Sequence, residues 1–463
     1  MKRAIALMAA GVIASACSIG LAQDQTNTDK FVSKEDYLKL KEDHDKLKQE
    51  LDTLKSQMQE LLKKTAAPES DALKAQMQDM QKKAAAQQAE TDQAMDDLEK
   101  ELKAAKQMAK DSFPGTTKML LAGYGSATFT ATESGYGPAQ PLPPDDRNGH
   151  NFFTATFNPI FLWKLSDRLL FEGELELELE GTDTSTALEM AQMSYLVNDY
   201  ITIGAGKFLN PMDYFVERQH MAWVNKLPDK PLAVYDGLLP ESLLGIQVRG
   251  AIPAGPTKFG YAFYVANAPS LNTDTNDIGL GTLEFDNFDN IGNHVAVGGR
   301  VGFYPLPELE LGYGFQYAGV GPSGTAVNAT FHSADLTYVR ESPALLGMIN
   351  LHAQWVWSLV DTPSASTLPG MQFSNDRNGG YAQLAYRPTK IEVPFLSNLE
   401  AVVRYDVINQ KKTPVGFDEH RWTVGLNYWL TPSTVTKIAY EWDRQHGGGE
   451  NGGAFMLQFA LGF

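Results

Sequence analysis

Between Leu169 and Gly181 the chain reads LLFEGELELELEG, with Phe171, Leu175, Leu177 and Leu179 at odd positions and Glu172, Glu174, Glu176, Glu178 and Glu180 at even ones. Only a period of two separates apolar from charged residues that cleanly; on a helix, at about 100° per residue, the glutamates would wrap all round the axis. The stretch therefore predicts a β-strand with one apolar and one anionic face. A soluble sheet accommodates such a strand with its leucines on a core. A membrane barrel accommodates it equally well, with leucines on lipid and glutamates on a water-filled lumen.

From Met119 onward about sixteen strand candidates of nine to fifteen residues follow one another, a length suited to tilted strands crossing a bilayer. Their connections alternate. Tight turns such as Ser166-Asp167, Val197-Asn198-Asp199, Pro253-Ala254-Gly255-Pro256, Tyr304-Pro305-Leu306-Pro307 and Thr431-Pro432-Ser433 take turns with long polar stretches. The long ones are Glu133 to Gly149, Asn210 to Ser242, Pro269 to Gly292 and Asp361 to Gly379. Loops sorted in this way, short on one side and long on the other, mark an outer-membrane barrel with an even strand count. The last strand puts Phe455, Leu457, Phe459, Leu461 and Phe463 on one parity, and aromatics gather towards strand ends at Phe161 and Trp163, Phe303 and Tyr304, Tyr428 and Trp429, and Tyr440 and Trp442. Aromatic girdles at the two lipid interfaces are the expectation for these pairs.

Ahead of the strands the period changes. Leu40, Leu47, Leu54 and Leu61 recur every seven residues, with Tyr37, His44, Leu51 and Met58 three positions before each. That is an a/d seam, and Tyr37 to Lys64 is expected to form a coiled coil with partner helices, His44 serving as a polar register-setter. Pro68 interrupts it, and a looser helical stretch runs from about Asp71 to Lys110. At the start, Lys2 and Arg3 precede an apolar run from Ala4 to Cys17, and Gly20 and Ala22 supply small residues for cleavage. This predicts a secretory signal peptide over 1–22, a periplasmic coiled-coil segment over 23–111 and a barrel over 115–463. The fold class expected is thus an all-β transmembrane antiparallel barrel of about 16 strands, preceded by an α-helical coiled-coil stalk.

Charge and cysteine use narrow the function. The chain carries 39 Lys and Arg against 56 Asp and Glu, a net −17. So acidic a surface makes nucleic acid an improbable partner. Cys17 is the single cysteine; it follows Ala14-Ser15-Ala16, which loosely resembles a lipoprotein site, and cleavage after Ala22 would leave a mature chain with no thiol chemistry. The histidines lack metal-ligand spacing, Gly204-Ala205-Gly206-Lys207 is an incomplete phosphate loop, and Asp274-Thr275-Asn276-Asp277 is a poor calcium loop with Asp286 and Asp289 nearby. No enzymatic constellation, metal site or cofactor is expected.

With its signal peptide, sorted loops and terminal Phe463, the chain resembles Gram-negative general porins. More narrowly, with Gly206-Lys207-Phe208-Leu209-Asn210-Pro211 leading into a long loop, it resembles the phosphate-selective-type porins that often carry a coiled coil ahead of a sixteen-stranded barrel. The resemblance implies an outer-membrane homotrimer, with Phe463 as part of the signal read by the barrel-assembly machinery. It also implies that the stretch from Asn210 to Ser242, by strand count the third loop on the long-loop side, narrows the lumen, with Asp213, Glu217, Arg218, Lys226, Asp229, Lys230 and Asp236 among its constriction residues; a solvated external loop is the alternative. Mixed charges there would set a transverse field. Anion-selective members would display Arg and Lys along the lumen, whereas here the clearest pore-lining row is Glu172, Glu174, Glu176, Glu178 and Glu180. A mild cation preference in a wide wet pore is the expectation. Arg249, Arg300 and Arg404, the last sharing parity with Asp406, are further pore-lining candidates expected to pair with those glutamates. A stalk that tethers the outer membrane to the cell wall is a compatible second role, and a barrel enzyme is disfavoured by the strand count.

Overall fold

The computed structural model describes Lys100 and residues 119–134, 136, 151–180, 183–235, 237–275, 279–285, 288, 290, 292–410, 418–446 and 451–463. The expected signal peptide, Cys17, the coiled-coil heptads, Asp286 and Asp289 lie outside the described residues.

Sixteen antiparallel strands close into a barrel. The first seven are β1 (Met119–Thr132), β2 (Asn151–Lys164), β3 (Leu169–Glu180), β4 (Asp183–Asn198), β5 (Ile201–Leu209), β6 (Ser242–Ala254) and β7 (Thr257–Asn267). Two-residue pieces, β8 (Ser270–Leu271) and β9 (Leu283–Glu284), pair with each other inside a long connection. The wall resumes with β10 (Val295–Leu306), β11 (Leu309–Gly319), β12 (Asn328–Ser342), β13 (Gly347–Val360), β14 (Arg377–Arg387), β15 (Leu399–Asn409), β16 (Asp418–Thr431), β17 (Thr434–His446) and β18 (Gly452–Gly462). Each wall strand pairs with its neighbour in sequence, and β1 closes on β18. Full closure leaves no unpaired edge, the condition for a sheet surrounded by lipid.

The last residue completes the seam. The Gly123 amide donates to the Phe463 carbonyl at 3.0 Å, the Phe463 amide donates back at 2.9 Å, and the Phe463 ring stacks on Phe157. Most connections sort as expected: turns at 199–200, 255–256 and 432–433 lie at one end and the stretches 210–241, 268–294 and 361–376 at the other, but the connection 388–398, which carries a helical turn at Pro394–Ser397, lengthens the short-turn end.

Side-chain alternation decides what each face meets. Phe153, Phe263, Val297, Tyr313, Trp422, Leu426 and Phe459 stand exposed on the outside. Gln192, Gln247, Arg300, Asp335, Arg404 and Arg421, from the opposite parity of their strands, are buried inside. On β3 the alternation holds throughout the described side chains because the extra residue, Glu189, is a bulge carried by β4. Two girdle expectations fail. Tyr304 donates to Glu310 at 2.7 Å and Trp429 donates to Glu400 at 3.1 Å, so both turn inward. Parity places them there, whereas nearness to a strand end said nothing about face.

The interior is not uniformly wet. At the long-loop end, Phe208, Tyr264, Phe331, Val356 and Ile408 from the wall pack with Met212, Leu232 and Leu238 from loop 210–241, Leu271 and Leu283 from the next loop, and Met371. This corrects the wide wet pore, since the loops over β5 to β15 collapse on one another to bury apolar surface.

Candidate functional site

The connection from Asn210 to Glu241 enters the barrel because its two ends are tied together. Asn210 is buried; its amide nitrogen donates to the Pro240 carbonyl at 2.9 Å, its side-chain oxygen accepts from the Met212 amide at 3.0 Å, and its backbone amide donates to Glu241. The motif before it has a steric reason too. Gly206 has φ +123, and a Cβ there would overlap the Ala191 carbonyl of the adjoining strand. Asp213 then caps α1 (Tyr214–Gln219) by accepting from the Val216 amide at 3.2 Å. Burial pushes the Asp213 carboxyl up to about 7 despite that bond.

Helix α1 is held against the wall by an ionic network. Glu217 pairs with Arg249 at 2.7 Å, Arg218 pairs with Glu310, and Arg300 bridges Glu310 at 2.9 Å and Asp335 at 2.6 Å. Burial opposes the charge on Glu217, but Arg249, Arg218 and Arg300 together hold its carboxyl below the usual range. Apolar contact reinforces this, with Phe215, Val216 and Val234 packing on Tyr381.

Residues 221–232 then fill the side of the lumen bounded by β14 to β18. Lys226 pairs with Glu400 at 2.9 Å, and its carbonyl accepts from Asn427. Leu227 packs on Ala385, Val402 and Ala439, and Lys437 donates to the Ala222 and Leu227 carbonyls. Asp229 pairs with Arg421 at 3.0 Å, while Arg404 donates to the Asp229 and Lys230 carbonyls at 2.9 and 3.0 Å. Arg404 also pairs with Asp406 at 2.8 Å, and Arg421 with Asp443, Glu441 and Glu419. Asp406 accepts from the Leu232 amide, at the start of α2 (Leu232–Tyr235).

Two expectations about charge are thereby corrected. Six of the seven loop residues singled out from sequence lie in this loop within the barrel, and Asp236 falls outside the described residues. Apart from the capping Asp213, their charges do not face one another across a gap: Glu217, Arg218, Lys226 and Asp229 each meet a wall residue, and Lys230 meets Glu241 at 2.9 Å. A fixed ion pair in a tight interior is worth more than a field across water, so the loop's charges are used as clamps. The arginines Arg249, Arg300 and Arg404 pair with Glu217, Glu310, Asp335 and Asp406, and not with the β3 glutamates.

The β3 row itself splits. Glu172 and Glu174 are 1% exposed, Glu176 and Glu178 are half-buried, and the Glu180 side chain is outside the described set. Gln192 donates to Glu172 at 2.9 Å, and Glu174 faces His220 of the loop at 3.5 Å. The residues that sequence reading passed over, Arg421, Glu441, Asp443, Glu310, Asp335 and His220, share one signal except for the last. The first five sit at inward parity on their strands, alternating with outward apolar residues such as Trp422, Trp442 and Leu311.

His220 tests how the loop's tip is latched. Burial alone lowers its pKa, but the Glu174 carboxylate 3.5 Å away, with the Val216 carbonyl, outweighs it and raises the imidazole above its ordinary value. A raised folded-state pKa means that the latch contributes fully below the unfolded value, about 6.5, and is lost as pH rises through the folded one. Barrel stability should therefore decline across that alkaline limb more steeply in the wild type than in His220→Gln. Parallel pH profiles of denaturant midpoints for the two proteins check it, and identical slopes would refute the latch.

No family model matches the chain, and no curated protein matches it significantly. Among solved structures, the high-pH form of OprB from Pseudomonas putida aligns over 75% of this chain and 94% of its own at 10% identity, TM-score 0.50. An anion-selective porin from Comamonas acidovorans aligns over 74% and 99% at 13% identity, TM-score 0.46, and Salmonella typhi OmpF in complex with daunomycin over 74% and 97% at 12%, TM-score 0.47. What is shared is the barrel fold. The similarity to OprB extends that far and assigns no solute or selectivity.

Proposed function

We propose that the chain is an outer-membrane porin, a water-filled channel for passive diffusion of small hydrophilic solutes and ions with a mild cation preference. The observation that carries this reading is a closed sixteen-strand barrel, apolar outside and polar inside, crossed by a loop clamped to its wall. Residues 221–232 occupy the β14 to β18 side, and the proposed conduit passes the partly exposed groups of β3 and β6. There, Glu176 and Glu178 are half-buried and Arg249 and Arg218 are 28% and 34% exposed.

The cation preference rests on an imbalance of pairing. Arg300, Arg404 and Arg421 are each neutralised by carboxylates, while among the described residues no Arg or Lys forms an ion pair with Glu172, Glu174 or Glu176. Net negative charge in a pore raises the local cation concentration. The same imbalance disfavours the phosphate-selective reading. No catalytic role or cofactor is proposed.

The heptads before the barrel favour a homotrimer with a periplasmic coiled coil, compatible with a cell-wall contact, and Phe463 is proposed as part of the assembly signal. Purified protein in planar bilayers should show stepwise conductance and, across a KCl gradient, a reversal potential on the cation side. Absence of steps would overturn the channel, and an anion-side potential the preference.

A further inference from the structure

The tip of the inserted loop is held by its backbone. Its turn closes from within, where the Met221 carbonyl accepts from the Val224 and Asn225 amides at 2.9 Å. From the wall, Lys437 of β17 donates to the Ala222 carbonyl and, at 3.4 Å, to the Leu227 carbonyl, so one side chain gathers both arms of the turn. Its third proton goes to Gln458 Oε1 of β18 at 2.8 Å. The Gln458 amide nitrogen donates on to Thr128 of β1 at 3.0 Å and to the Pro228 carbonyl at 3.4 Å.

Lys437 is buried, and among the described residues no carboxylate pairs with it; Glu400 is taken by Lys226 at 2.9 Å. A buried ammonium without a carboxylate is costly, and here two loop carbonyls and an amide oxygen offset that cost. Among side chains only an ammonium sends three donors outward from one point and offers no acceptor, which suits the gathering of carbonyls. The tip also has seats. Buried Trp223 lies over Gly462 of β18, where a Cβ would run into its indole, and Leu227 lies in the same way over Gly425 of β16. Glycine at an inward strand position leaves room for such close approach.

Just before the turn, His220 faces Glu174 of β3 at 3.5 Å and the Tyr124 ring of β1. Residues 220–223 therefore cross from the β3 side of the lumen to β18 and border the proposed conduit. We propose that Lys437 is the positioning residue of the loop tip: with Trp223 seated on Gly462, it fixes where residues 220–227 stand in the lumen and hence the bore of the channel. The ion pairs of Lys226 and Asp229 hold the returning arm, whereas Lys437 holds the turn itself through its carbonyls. This assignment rests on the channel reading and adds to it the wall residue that sets the aperture.

Single-channel records in planar bilayers compare wild type, Lys437→Met, Trp223→Ala and Lys437→Cys. The cysteine variant is recorded after alkylation with 2-bromoethylamine before refolding, which returns an ammonium to nearly the same reach. Wild type treated in the same way controls for Cys17, the only native cysteine. Wild-type steps should be equal and free of sublevels. With charge-assisted bonds lost or the seat emptied, Lys437→Met and Trp223→Ala should each spend about tenfold more of their open time in sublevels. The aminoethylated variant should return to clean steps. Clean steps from Lys437→Met, sublevels that aminoethylation does not remove, or a wild type that itself shows sublevels each overturn the positioning role and leave the channel standing. Trp223 lies on the loop and outside every strand, so its variant decides where Lys437→Met does not insert: clean steps there overturn the assignment. Absence of any wild-type step overturns the channel itself, and the positioning role with it.

Discussion

Replacing Arg421 by methionine is expected to destabilise the barrel by about 3–5 kcal/mol, the cost of leaving buried charge uncompensated. Arg421 is 2% exposed and stands among Asp443, Glu441, Glu419 and Asp229, with its guanidinium over the Tyr136 ring. Methionine keeps most of the volume but none of the charge. Arg404 remains, at 3.7 Å from Glu441 and 2.8 Å from Asp406, and is too few cations for the acids left behind. Denaturant unfolding of the refolded protein in detergent measures the loss. Adding Asp443→Asn to the methionine variant should recover part of it by deleting one of the stranded charges. An unchanged midpoint for Arg421→Met would mean that this cluster does not hold the loop.

Arg300→Met is expected to act on stability and current together. Arg300 bonds Asp335 through Nε at 2.8 Å and Nη2 at 2.6 Å, and Glu310 through Nη2 at 2.9 Å. Glu310 in turn receives Arg218 from α1. Removing Arg300 strands Asp335 fully but leaves Glu310 its bonds from Arg218 and Tyr304, so a loss near the low end, about 3 kcal/mol, is expected. With its brace loosened, α1 should fluctuate against β6 and β11. Single-channel records should then show noisier and larger unitary currents than wild type, and Asp335→Asn added to Arg300→Met should quieten them. Currents of wild-type size and noise would show that α1 does not border the conduit.

Much of this molecule was readable from local pattern. The sixteen strands and the facing of Phe171 to Leu179 and of Phe455 to Phe463 depend on a period of two within single segments, and the sorting of connections on the lengths between them. That is why LELELE announced a two-faced strand without any knowledge of its neighbours, while its place in a barrel wall needed the rest of the chain. The motif from Gly206 to Pro211 was also visible as a boundary. Its reason, a carbonyl against Gly206 and a clasp made by Asn210 across to Pro240, needed the fold.

Pairing was not readable. Parity put Arg300, Arg404 and the β3 glutamates on one inner surface, and the expectation that they would neutralise each other followed from that alone. The loop intervened, bringing Glu217 to Arg249 and Asp229 to Arg421, while Asp335 and Asp406 on the wall itself took Arg300 and Arg404. The sequence by itself determined which face each strand residue occupies, because alternation is a property of the extended backbone. Only the tertiary structure decided which charges meet, because Lys226 reaches Glu400 across 174 residues of chain along the path of a folded loop, and no local period encodes that path.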